Sequence, residues 1–485
     1  MHVIGTHSWD ARVAGGVRLR APRRAAVITV FALLVLLILA AEAQAYVPGQ
    51  LIWAKRIGTS TSEAGAWAVA AGPNGAVASA GWMMVPQAGP PPMVQEPMVA
   101  RYSATGAMWA RTYAADGYAE DVAIDRSGNV YVAATINLNS GGDIVVLKYN
   151  AAGTFQWATT PYDGTGGGSP DSAREIAIDG AGNVIVAGTS VVNGTGLPGI
   201  AVLKYDHDGN AMWLSPAVIF PSSNQPDAGA FSLEDLALGG AGDVYVAGSQ
   251  TYRVNGVWLE HALVAKFSAG DGGSGGPSRY LPGNGREASF ESIAVRGYTV
   301  VAAGSTWDAV SDGAENALLR KYDVNLAPGT VRQWGAGNKS QEWFGDVLLD
   351  GSGNVYVTGD QWVSAVSGYG KAVAMKFSPS LAKITWQATY MPASEDAEGW
   401  YIARDGSGNI YVAGVKNAHV GLQDLLTMKF SPTGVRKWVK SWSGGGPDED
   451  EPNGLVLGTK GGVYVGGQVT GKGDIYQAAL LKYQR

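Results

Sequence analysis

Short apolar runs separated by polar, glycine-containing turns follow one another along the chain after residue 50. The clearest turns have the form D-x-x-G-N, and the run after each is rich in Val, Ile and Tyr, as in IDRSGNVYVAA (124–134) and LDGSGNVYVTG (349–359). Asp and Gly turns between β-branched and aromatic runs are typical of antiparallel hairpins. No window of helical length combines a 3.6-residue apolar period with capping residues, so the pattern predicts an all-β protein.

These hairpins belong to a longer repeat that covers residues 51–485. The third apolar run of each unit ends on a basic residue followed by an aromatic one, and successive pairs are 47 to 62 residues apart. The eight pairs are Arg101-Tyr102, Lys148-Tyr149, Lys204-Tyr205, Lys266-Phe267, Lys321-Tyr322, Lys376-Phe377, Lys429-Phe430 and Lys482-Tyr483. Self-similarity with a period of roughly 50 residues predicts a solenoid, a propeller or an array.

Each unit contains four predicted strands, called a to d in chain order. Strand a precedes the D-x-x-G-N turn, strand b follows it, and strand c ends on the basic–aromatic pair. Strand d follows a second glycine turn and carries a tryptophan. The inner strands are almost continuously apolar, which is typical of sheets buried on both faces. Four-stranded sheets repeated around an axis form a β-propeller, and we predict this fold.

The strand-d aromatic residues indicate how the ring closes. These positions are Trp53, Trp109, Trp157, Trp213, Trp334, Trp386 and Trp438, with Tyr280 in the fourth unit. Trp53 precedes the first unit, whereas the last unit stops at Arg485 without a strand d. We therefore predict that residues 51–59 complete the last blade and close a single propeller domain over 46–485. Closure removes both open sheet edges, which would otherwise favour aggregation.

Eight basic–aromatic pairs predict eight blades, with seven as the alternative because units one and five are degenerate. Turns such as RDGSGNIYVAG (404–414) and the ending Gly153-Thr-Phe-Gln-Trp157 resemble the bacterial seven-bladed β-propeller (SBBP) repeat family. The resemblance covers essentially all of 51–485 and implies a propeller, but no particular activity. The G-x-x-x-W ending is also similar to the tryptophan-docking motif of quinoprotein dehydrogenases, which implies eight blades.

The first 45 residues have the composition of a secretory signal peptide. Five arginines precede the apolar run 25–41, and Ala43-Gln44-Ala45 then provides a small-x-small cleavage site. We predict that 1–45 is removed and that the mature protein is periplasmic, secreted or on the cell surface, without a membrane span. An uncleaved signal anchor is the alternative, since roughly 17–25 apolar residues are needed to cross a bilayer.

The charge balance and the missing cysteine restrict partners and chemistry. Removal of 1–45 lowers the basic count from 35 to 30 and the acidic count from 41 to 39, so the mature chain is acidic. A nucleic-acid partner is not expected, because such a partner requires clustered Lys and Arg. The chain has no cysteine, which excludes disulfides, thiolate metal sites and a cysteine nucleophile. We expect a monomer.

Loop lengths predict which face of the propeller binds a ligand. The a–b and c–d turns are short, whereas b–c loops and d–a connections such as 82–97, 249–260 and 360–371 are long and variable. Binding residues concentrate on variable loops of rigid scaffolds. Carboxylates gather on this side, including Glu63, Glu234 and 448–451. Our ligand-binding candidates are Glu120, Asp121, Glu175, Asp235, Glu291, Asp346 and Glu398. We predict that they ring a channel mouth for a cation or a basic ligand, with loop solvation as the alternative role.

Sequence motifs for catalysis are missing. His207, His261 and His419 lack metal-ligand spacing, and no G-x-S-x-G, H-E-x-x-H or P-loop motif occurs. The favoured function is a non-enzymatic protein that binds a protein or glycan ligand and needs no cofactor. The alternative is an enzyme on the same fold, either a quinoprotein-like dehydrogenase or a carbohydrate lyase or hydrolase, with a quinone or a divalent cation such as calcium. A quinone site would need a unit that departs from the repeat, and we expect none.

Overall fold

The computed structural model describes residues 47–485 except 60, 89–90, 165–169, 192–197, 214–216, 220–227, 255, 283–285, 309–314, 336–339, 364–369, 393–394, 418–422 and 447–448. The predicted signal peptide 1–45, His419 and Asp448 lie outside the described residues. Pro48–Arg485 forms a compact unit of antiparallel β-sheets. Among the described residues, no helix has the length and apolar character that crossing a bilayer requires.

The first strand, β1 (Leu51–Ile57), belongs to the last sheet, and the blades begin after it. Blade 1 consists of β2 (Ala64–Ala71), β3 (Val77–Pro86), β4 (Met93–Tyr102) and β5 (Met108–Thr112). Blade 2 consists of β6 (Gly117–Ile124), β7 (Val130–Ile136), β8 (Asp143–Tyr149) and β9 (Phe155–Ala158). Blade 3 consists of β10 (Asp171–Ile178), β11 (Val184–Val191), β12 (Pro198–Tyr205) and β13 (Ala217–Ile219). Blade 4 consists of β14 (Ala228–Leu238), β15 (Val244–Val254), β16 (Val257–Phe267) and β17 (Ser278–Tyr280).

The remaining blades repeat this order. Blade 5 consists of β18 (Arg286–Arg296), β19 (Thr299–Asp308), β20 (Glu315–Asp323) and β21 (Pro328–Trp334). Blade 6 consists of β22 (Ser340–Leu349), β23 (Val355–Val363), β24 (Gly370–Phe377) and β25 (Ile384–Tyr390). Blade 7 consists of β26 (Ala397–Arg404), β27 (Ile410–Lys416), β28 (Asp424–Phe430) and β29 (Arg436–Trp442). Blade 8 consists of β30 (Glu451–Leu457), β31 (Gly462–Gly471), β32 (Ile475–Gln484) and β1.

The predicted closure is confirmed, because β1 is the outer strand of blade 8. It pairs antiparallel with β32, from Leu51 opposite Tyr483 to Ile57 opposite Ala478. The main chain continues this contact beyond the strands, where Gly49 N–H donates to the carbonyl of Gln484 at 2.9 Å. The structure therefore has eight four-stranded blades rather than seven, and each of the predicted units, including the degenerate units one and five, forms a blade.

Two of the predicted loops are largely strand. Strands β15 and β16 pair as far as Val254 opposite Val257, so most of 249–260 is paired strand. Strands β3 and β4 likewise pair out to Pro86 opposite Met93. Both segments contain some residues that are common in strands, such as Val85, Val94 and Tyr252. The face on which b–c hairpins and d–a connections meet is called the loop-rich face below, and the opposite one the turn face.

Apolar side chains between neighbouring blades form the core. Strand b of each blade is buried on both faces, as in Val130–Ile136, where every residue is buried. The lysine of strand c links blades on the turn face, since Lys148 Nζ donates to the carbonyl of His207 in the next blade at 2.6 Å. The same bond crosses the closure, from Lys482 Nζ to the carbonyl of Ala104 at 2.5 Å. Lys204 and Lys321 make the same kind of bond, so four of the eight basic–aromatic pairs connect neighbouring blades through their lysine.

Five of the seven strand-d tryptophans pack against a glycine turn of the following blade. Trp109 Nε1 donates to the carbonyl of Ala151 at 3.1 Å, and its ring covers Gly153. Gly153 has φ +82°, and a Cβ there would lie 2.7 Å from Trp109 Cδ2, so only glycine fits this turn. Six of the seven predicted tryptophans lie in outer strands, whereas Trp213 lies in a bend just before β13. Tyr280 occupies the outer strand of blade 4.

Replacing a docking tryptophan is expected to destabilise the whole ring. The Trp438 ring lies 6.2 Å from both Tyr411 and Tyr483, and it covers Gly49 from the segment before β1. Trp438→Ala leaves a void at the blade 7–8 junction and should lower the free energy of unfolding by about 3–5 kcal/mol. Trp258→Ala is the control, because that side chain is 50% exposed and its loss should cost about 0.5 kcal/mol or less. Equal denaturant midpoints for the two variants would contradict the docking role.

Candidate functional site

Every inner strand is interrupted by a β-bulge at the same place. In each strand a, the pairing with strand b skips one residue. The skipped residues, here called bulge residues, are Trp67, Glu120, Arg174, Glu234, Glu291, Gly345, Trp400 and Asn453. A bulge re-aims side chains and is common beside functional sites. Five residue types occupy this one position, so the units differ from one another most clearly where they face the channel.

The bulges surround a cavity of about 690 Å³ in the central channel, called the channel cavity. Its lining includes all eight bulge residues and the residues that follow them. Ser232 and Ser289, which precede the bulges, donate hydrogen bonds to Glu234 and Glu291 respectively. These serines lie on the part of strand a that comes from the d–a connection, so the carboxylates are held on the loop-rich side of the channel.

The residue after the bulge links neighbouring blades in three places. Asp121 Oδ2 accepts the backbone N–H of Ile176 in the next blade at 2.9 Å. Asp235 accepts Ile293 N–H at 2.7 Å, and Asp346 accepts Ile402 N–H at 2.8 Å. In each case the other carboxylate oxygen accepts the N–H that follows the aspartate itself, at 2.7 Å. These aspartates therefore satisfy backbone donors that the bulge leaves without a strand partner.

One half of the channel cavity is acidic. Its bulge residues come from blades 2 to 5, and the cation among them, Arg174, binds Glu234 at 2.8 Å. Burial raises the pKa of Glu120 to about 7, although Arg174 opposes the rise. Burial also raises the pKa of Asp346 to about 7 and that of Asp235 to about 6. Carboxylates with such values retain protons near neutral pH and release them when a cation binds.

Burial and two neighbouring charges also act on Glu175 in the same wall. Glu175 lies on the blade 3 inner strand beside Asp121, and its pKa lies well above the usual range. The main cause is burial, followed by the charges of Asp121 and Asp235. Burial therefore favours protonated carboxyls in the acidic half, and a bound cation would favour their ionised forms.

The other half of the channel cavity is aromatic. Its walls are formed by Trp67 from blade 1, Trp343 from blade 6, and Trp400 with Tyr401 from blade 7. Trp400 is fixed because its Nε1 donates to Glu398 Oε2 at 2.9 Å. Trp67 packs edge-on against Tyr118 of blade 2 at 5.0 Å between centroids.

Gly345 makes room for one of these aromatic rings. A Cβ on Gly345 would lie 2.5 Å from Trp343 Cζ3, so the indole fills the space that a bulge side chain takes in the other blades. Any larger residue at 345 would push the ring out of this position. The aromatic wall of blade 6 thus depends on a glycine two residues away in the same strand.

The structure places six of the seven ligand-binding candidates together. Glu120, Asp121, Glu175, Asp235, Glu291 and Asp346 line the channel cavity. Glu398 does not line the cavity; its carboxylate accepts the hydrogen bond of the Trp400 indole N–H and so orients that ring. The predicted acids therefore form an arc from blade 2 to blade 6, whereas blades 7, 8 and 1 contribute Trp400, Asn453 and Trp67 instead.

Arg174, Asn453 and the aromatic wall were not predicted from the sequence. The sequence nevertheless contains a pattern that identifies these residues. Each bulge residue stands five positions before the residue that begins the a–b turn of its unit. Examples are Glu120 before Asp125 and Trp400 before Asp405. Aligning the units on that turn places all eight bulge residues in one column. The acids were conspicuous by charge, whereas the tryptophans in that column resembled ordinary core residues.

The described tryptophans that do not dock blades lie on one side of the propeller. Three of them belong to the channel cavity. The other five described ones lie in the parts of strands nearer the loop-rich face: Trp82, Trp258, Trp307, Trp362 and Trp442. Trp307 Nε1 donates to Glu287 Oε2 at 2.7 Å, and the Arg56 guanidinium lies 4.7 Å from the Trp442 ring. Tryptophan thus has two separate roles in this chain, inter-blade packing and a surface on the loop-rich face.

The two described histidines lie outside the channel cavity. His207 is an exposed turn residue beside Asp208, at 3.3 Å. His261 lies in β16 against the Tyr252 ring, at 5.5 Å between centroids, and burial lowers its pKa. Neither residue lines the channel cavity, so the chemistry available there comes from carboxylates, one guanidinium and indoles.

No protein-family model matches the sequence, and no curated protein is significantly similar to it. Among solved structures, Sqt1 from Chaetomium thermophilum is similar with a TM-score of 0.53 and 10% identity, over 90% of this chain and 99% of that one. The β-propeller domain of the Trilobed protease from Pyrococcus furiosus gives 0.42 and 9%, over 78% and 95%. The WD40 domain of SCAP from fission yeast gives 0.43 and 11%, over 89% and 98%. At these identities the likeness shows the fold alone. The chain is an eight-bladed β-propeller.

Proposed function

We propose that this protein is an exported, non-enzymatic binding protein that takes a cationic group of a protein ligand into the channel cavity. The observation that carries the proposal is the division of the cavity into facing walls. Glu120, Glu234 and Glu291 form one wall, while Trp67 and Trp400 form part of the other. An ammonium or guanidinium group between them would meet carboxylates on one side and indole faces on the other.

The two walls would contribute comparable energies. A cation over an indole face contributes about 0.5–2 kcal/mol, and more as the site excludes water. A carboxylate at ion-pair distance adds a similar amount in a half-buried site. Because the cavity carboxyls have raised pKa values, a bound cation would favour their ionised forms and release protons. We therefore expect affinity to rise between pH 6 and pH 8.

The test uses tetralysine as the cationic probe and tetraglutamate as the matched anionic one. Trp400→Ala removes an aromatic wall, and Glu291→Gln removes a carboxylate that is not paired with Arg174. Each is expected to weaken tetralysine binding about tenfold in calorimetry or in tryptophan fluorescence titrations. The control is Trp258→Ala, which alters the same face outside the channel cavity and should leave the affinity unchanged.

Two results would overturn the proposed site. Tetraglutamate binding as tightly as tetralysine would contradict an acidic recognition wall. Equal losses from Trp258→Ala and Trp400→Ala would place recognition on the outer loops instead of in the cavity. In that case the aromatic loop-rich face would be the binding surface, and a glycan ligand would become the better candidate, because indole faces also stack on sugar rings.

A second candidate function is a carbohydrate-active enzyme. The specific observation in its favour is Glu120, whose raised pKa of about 7 is suited to a general acid at neutral pH. Incubation with a panel of polysaccharides should then release unsaturated or reducing ends, and Glu120→Gln should abolish that release. A quinoprotein-like enzyme, the remaining alternative, is tested by the absorbance of a quinone in the purified protein.

Export and oligomeric state complete the proposal. The predicted signal 1–45 supports export. The repeat pattern supports a relationship with the SBBP family. We also propose that the protein is a monomer. Fractionation of a bacterial host, followed by N-terminal sequencing of the protein, should give a start at Tyr46. A protein that begins at Met1 in the membrane fraction would favour the uncleaved anchor. Light scattering of the released form measures its mass directly.

A further inference from the structure

Three aspartates outside the channel cavity meet at the junction of blades 2 and 3, on the loop-rich side. Asp143 begins β8, Asp163 lies in the connection after β9, and Asp171 begins β10. One carboxylate oxygen of each lies within 4.8 Å of the oxygens of the other two. The topology brings them together, because strand c of one blade and strand a of the next both begin on this face. They are called the aspartate triad.

Asp171 is the buried member of the triad. Its side chain is 1% exposed, and its Oδ2 accepts the N–H of Gly164 at 2.7 Å. Its Oδ1 is fully buried and has no hydrogen-bond partner of ordinary geometry. Burying a carboxylate oxygen without a partner is costly, so positive charge supplied by a ligand would stabilise Asp171 here. Burial raises the pKa of Asp171, while the nearby Ser190 hydroxyl and the N–H groups of Gly164 and Val191 oppose the rise.

We propose that the aspartate triad binds a divalent cation of the calcium class. Calcium takes oxygen ligands at about 2.3–2.6 Å, so ligand oxygens on opposite sides of the ion are about 5 Å apart. The spacing within the triad fits this limit. Magnesium, with oxygens at about 2.0–2.1 Å, would require a tighter cluster. Zinc favours nitrogen and sulfur ligands, whereas the triad offers only oxygen.

A fourth side chain is placed to complete the ligand set. The Asn137 amide lies 2.5 Å from Asp143 Oδ2, and Asn137 itself has a left-handed backbone with φ 60°. The same amide, turned by 180°, presents its oxygen on the side of Asp143. Calcium sites commonly combine carboxylate, amide and backbone oxygens with water. With Asn137, the site would draw ligands from the b–c loop of blade 2, the following connection and the inner strand of blade 3.

The bound cation would link the two blades next to the channel cavity. Asp171 stands three residues before the bulge residue Arg174 in the same strand. Fixing the start of β10 would therefore fix the strand that carries the Arg174–Glu234 pair. This site is separate from the ligand proposed for the channel cavity, so either one can fail without the other.

The experiment is a calcium titration of the full mature chain after removal of metals with a chelator. Calorimetry should detect one calcium site in the micromolar to millimolar range, with magnesium binding at least tenfold weaker. Terbium is a second probe, because its emission is excited by a nearby aromatic ring. Tyr162 lies next to the triad, where Asp171 and Asp163 both act on its hydroxyl. Tyr162→Phe should reduce the terbium emission but leave the calcium affinity unchanged.

The variants Asp171→Asn and Asp143→Asn should each weaken calcium binding tenfold or more. Asp143 is the safer variant, since it is only half-buried and its loss should leave the fold intact. Asp208→Asn is the matched control, because that carboxylate lies on an exposed turn and is 67% accessible. The proposal fails if folded wild-type protein takes up no calcium at 5 mM, roughly the weak end of such sites. It also fails if Asp143→Asn and Asp208→Asn bind calcium equally, or if magnesium binds as tightly as calcium.

Discussion

Deletion of residues 46–58 is expected to abolish the cooperative folding of the propeller. This segment contains β1, which covers the free edge of β32 along its length. It also carries Trp53, whose ring lies 6.1 Å from Tyr102 of blade 1 and 5.8 Å from Tyr464 of blade 8. Without it, blade 8 loses its outer strand and exposes an unpaired edge, which favours aggregation. We expect the deleted protein to elute as aggregate and to show no sharp melting transition.

A transposed variant separates the contacts of β1 from its position in the chain. Residues 46–58 are moved behind Arg485 through a short Gly/Ser linker, so that the same strand can pair with β32 from the other end of the chain. This variant should recover a cooperative transition, because Gly49 and Gln484 are already hydrogen-bonded. A scrambled segment at the same place should not. If the deleted protein melted like the full chain, ring closure by β1 would not be needed for stability.

The free energy of unfolding is expected to fall by several kcal/mol between pH 5 and pH 8. In the folded state Glu120 and Asp346 have pKa values of about 7, and Asp235 of about 6, mainly because of burial. In the unfolded chain these carboxyls titrate at about 4. Between these values the folded protein holds more protons than the unfolded one, so the free energy of unfolding decreases as the pH rises. The loss begins near pH 4 and is complete above about pH 7.

Glu120→Gln tests this pH dependence at a single group. The amide imitates the protonated acid, so the variant should be more stable than the wild type at pH 8, by about 1–3 kcal/mol. The difference should shrink as the pH falls and vanish below about pH 4, where Glu120 is protonated in both the folded and the unfolded wild type. Glu449→Gln is the control, because Glu449 is exposed on a connection and its replacement should not change the pH profile. Urea midpoints measured from pH 5 to pH 8 report both effects, and parallel profiles for Glu120→Gln and the wild type would refute the assignment.

The fold was predictable because the repeat contains redundant signals. The D-x-x-G-N turn recurs at the same place in several units, and each copy fixes a hairpin through the turn aspartate, as when Asp405 Oδ1 accepts Ser407 N–H at 2.9 Å. Closure could be inferred from two observations together: Trp53 is a strand-d residue without a preceding unit, and the last unit has no strand d of its own. The length of the hairpins was not predictable, since strands such as β15 continue beyond the sheet through residues that also suit loops.

The channel cavity was only partly predictable, for a reason that lies in the bulges. Side chains alternate along a regular strand, and one skipped residue changes which of them faces the channel. Charge made Glu120 and Asp346 visible in the sequence, whereas the position of Trp343 depends on the space left by Gly345. The triad was missed because Asp143 and Asp171 belong to different blades and are brought together only by the ring.

The bulge residue and the aspartate that follows it have different roles, and this affects how the scaffold can change. In blades 2, 4 and 6 the aspartate after the bulge carries the backbone connection to the next blade, which leaves the bulge side chain free to vary. Five residue types already occupy the eight bulge positions. Randomising those positions while keeping the aspartates would therefore produce a library of receptors with different specificities on one unchanged framework, in nature or in the laboratory.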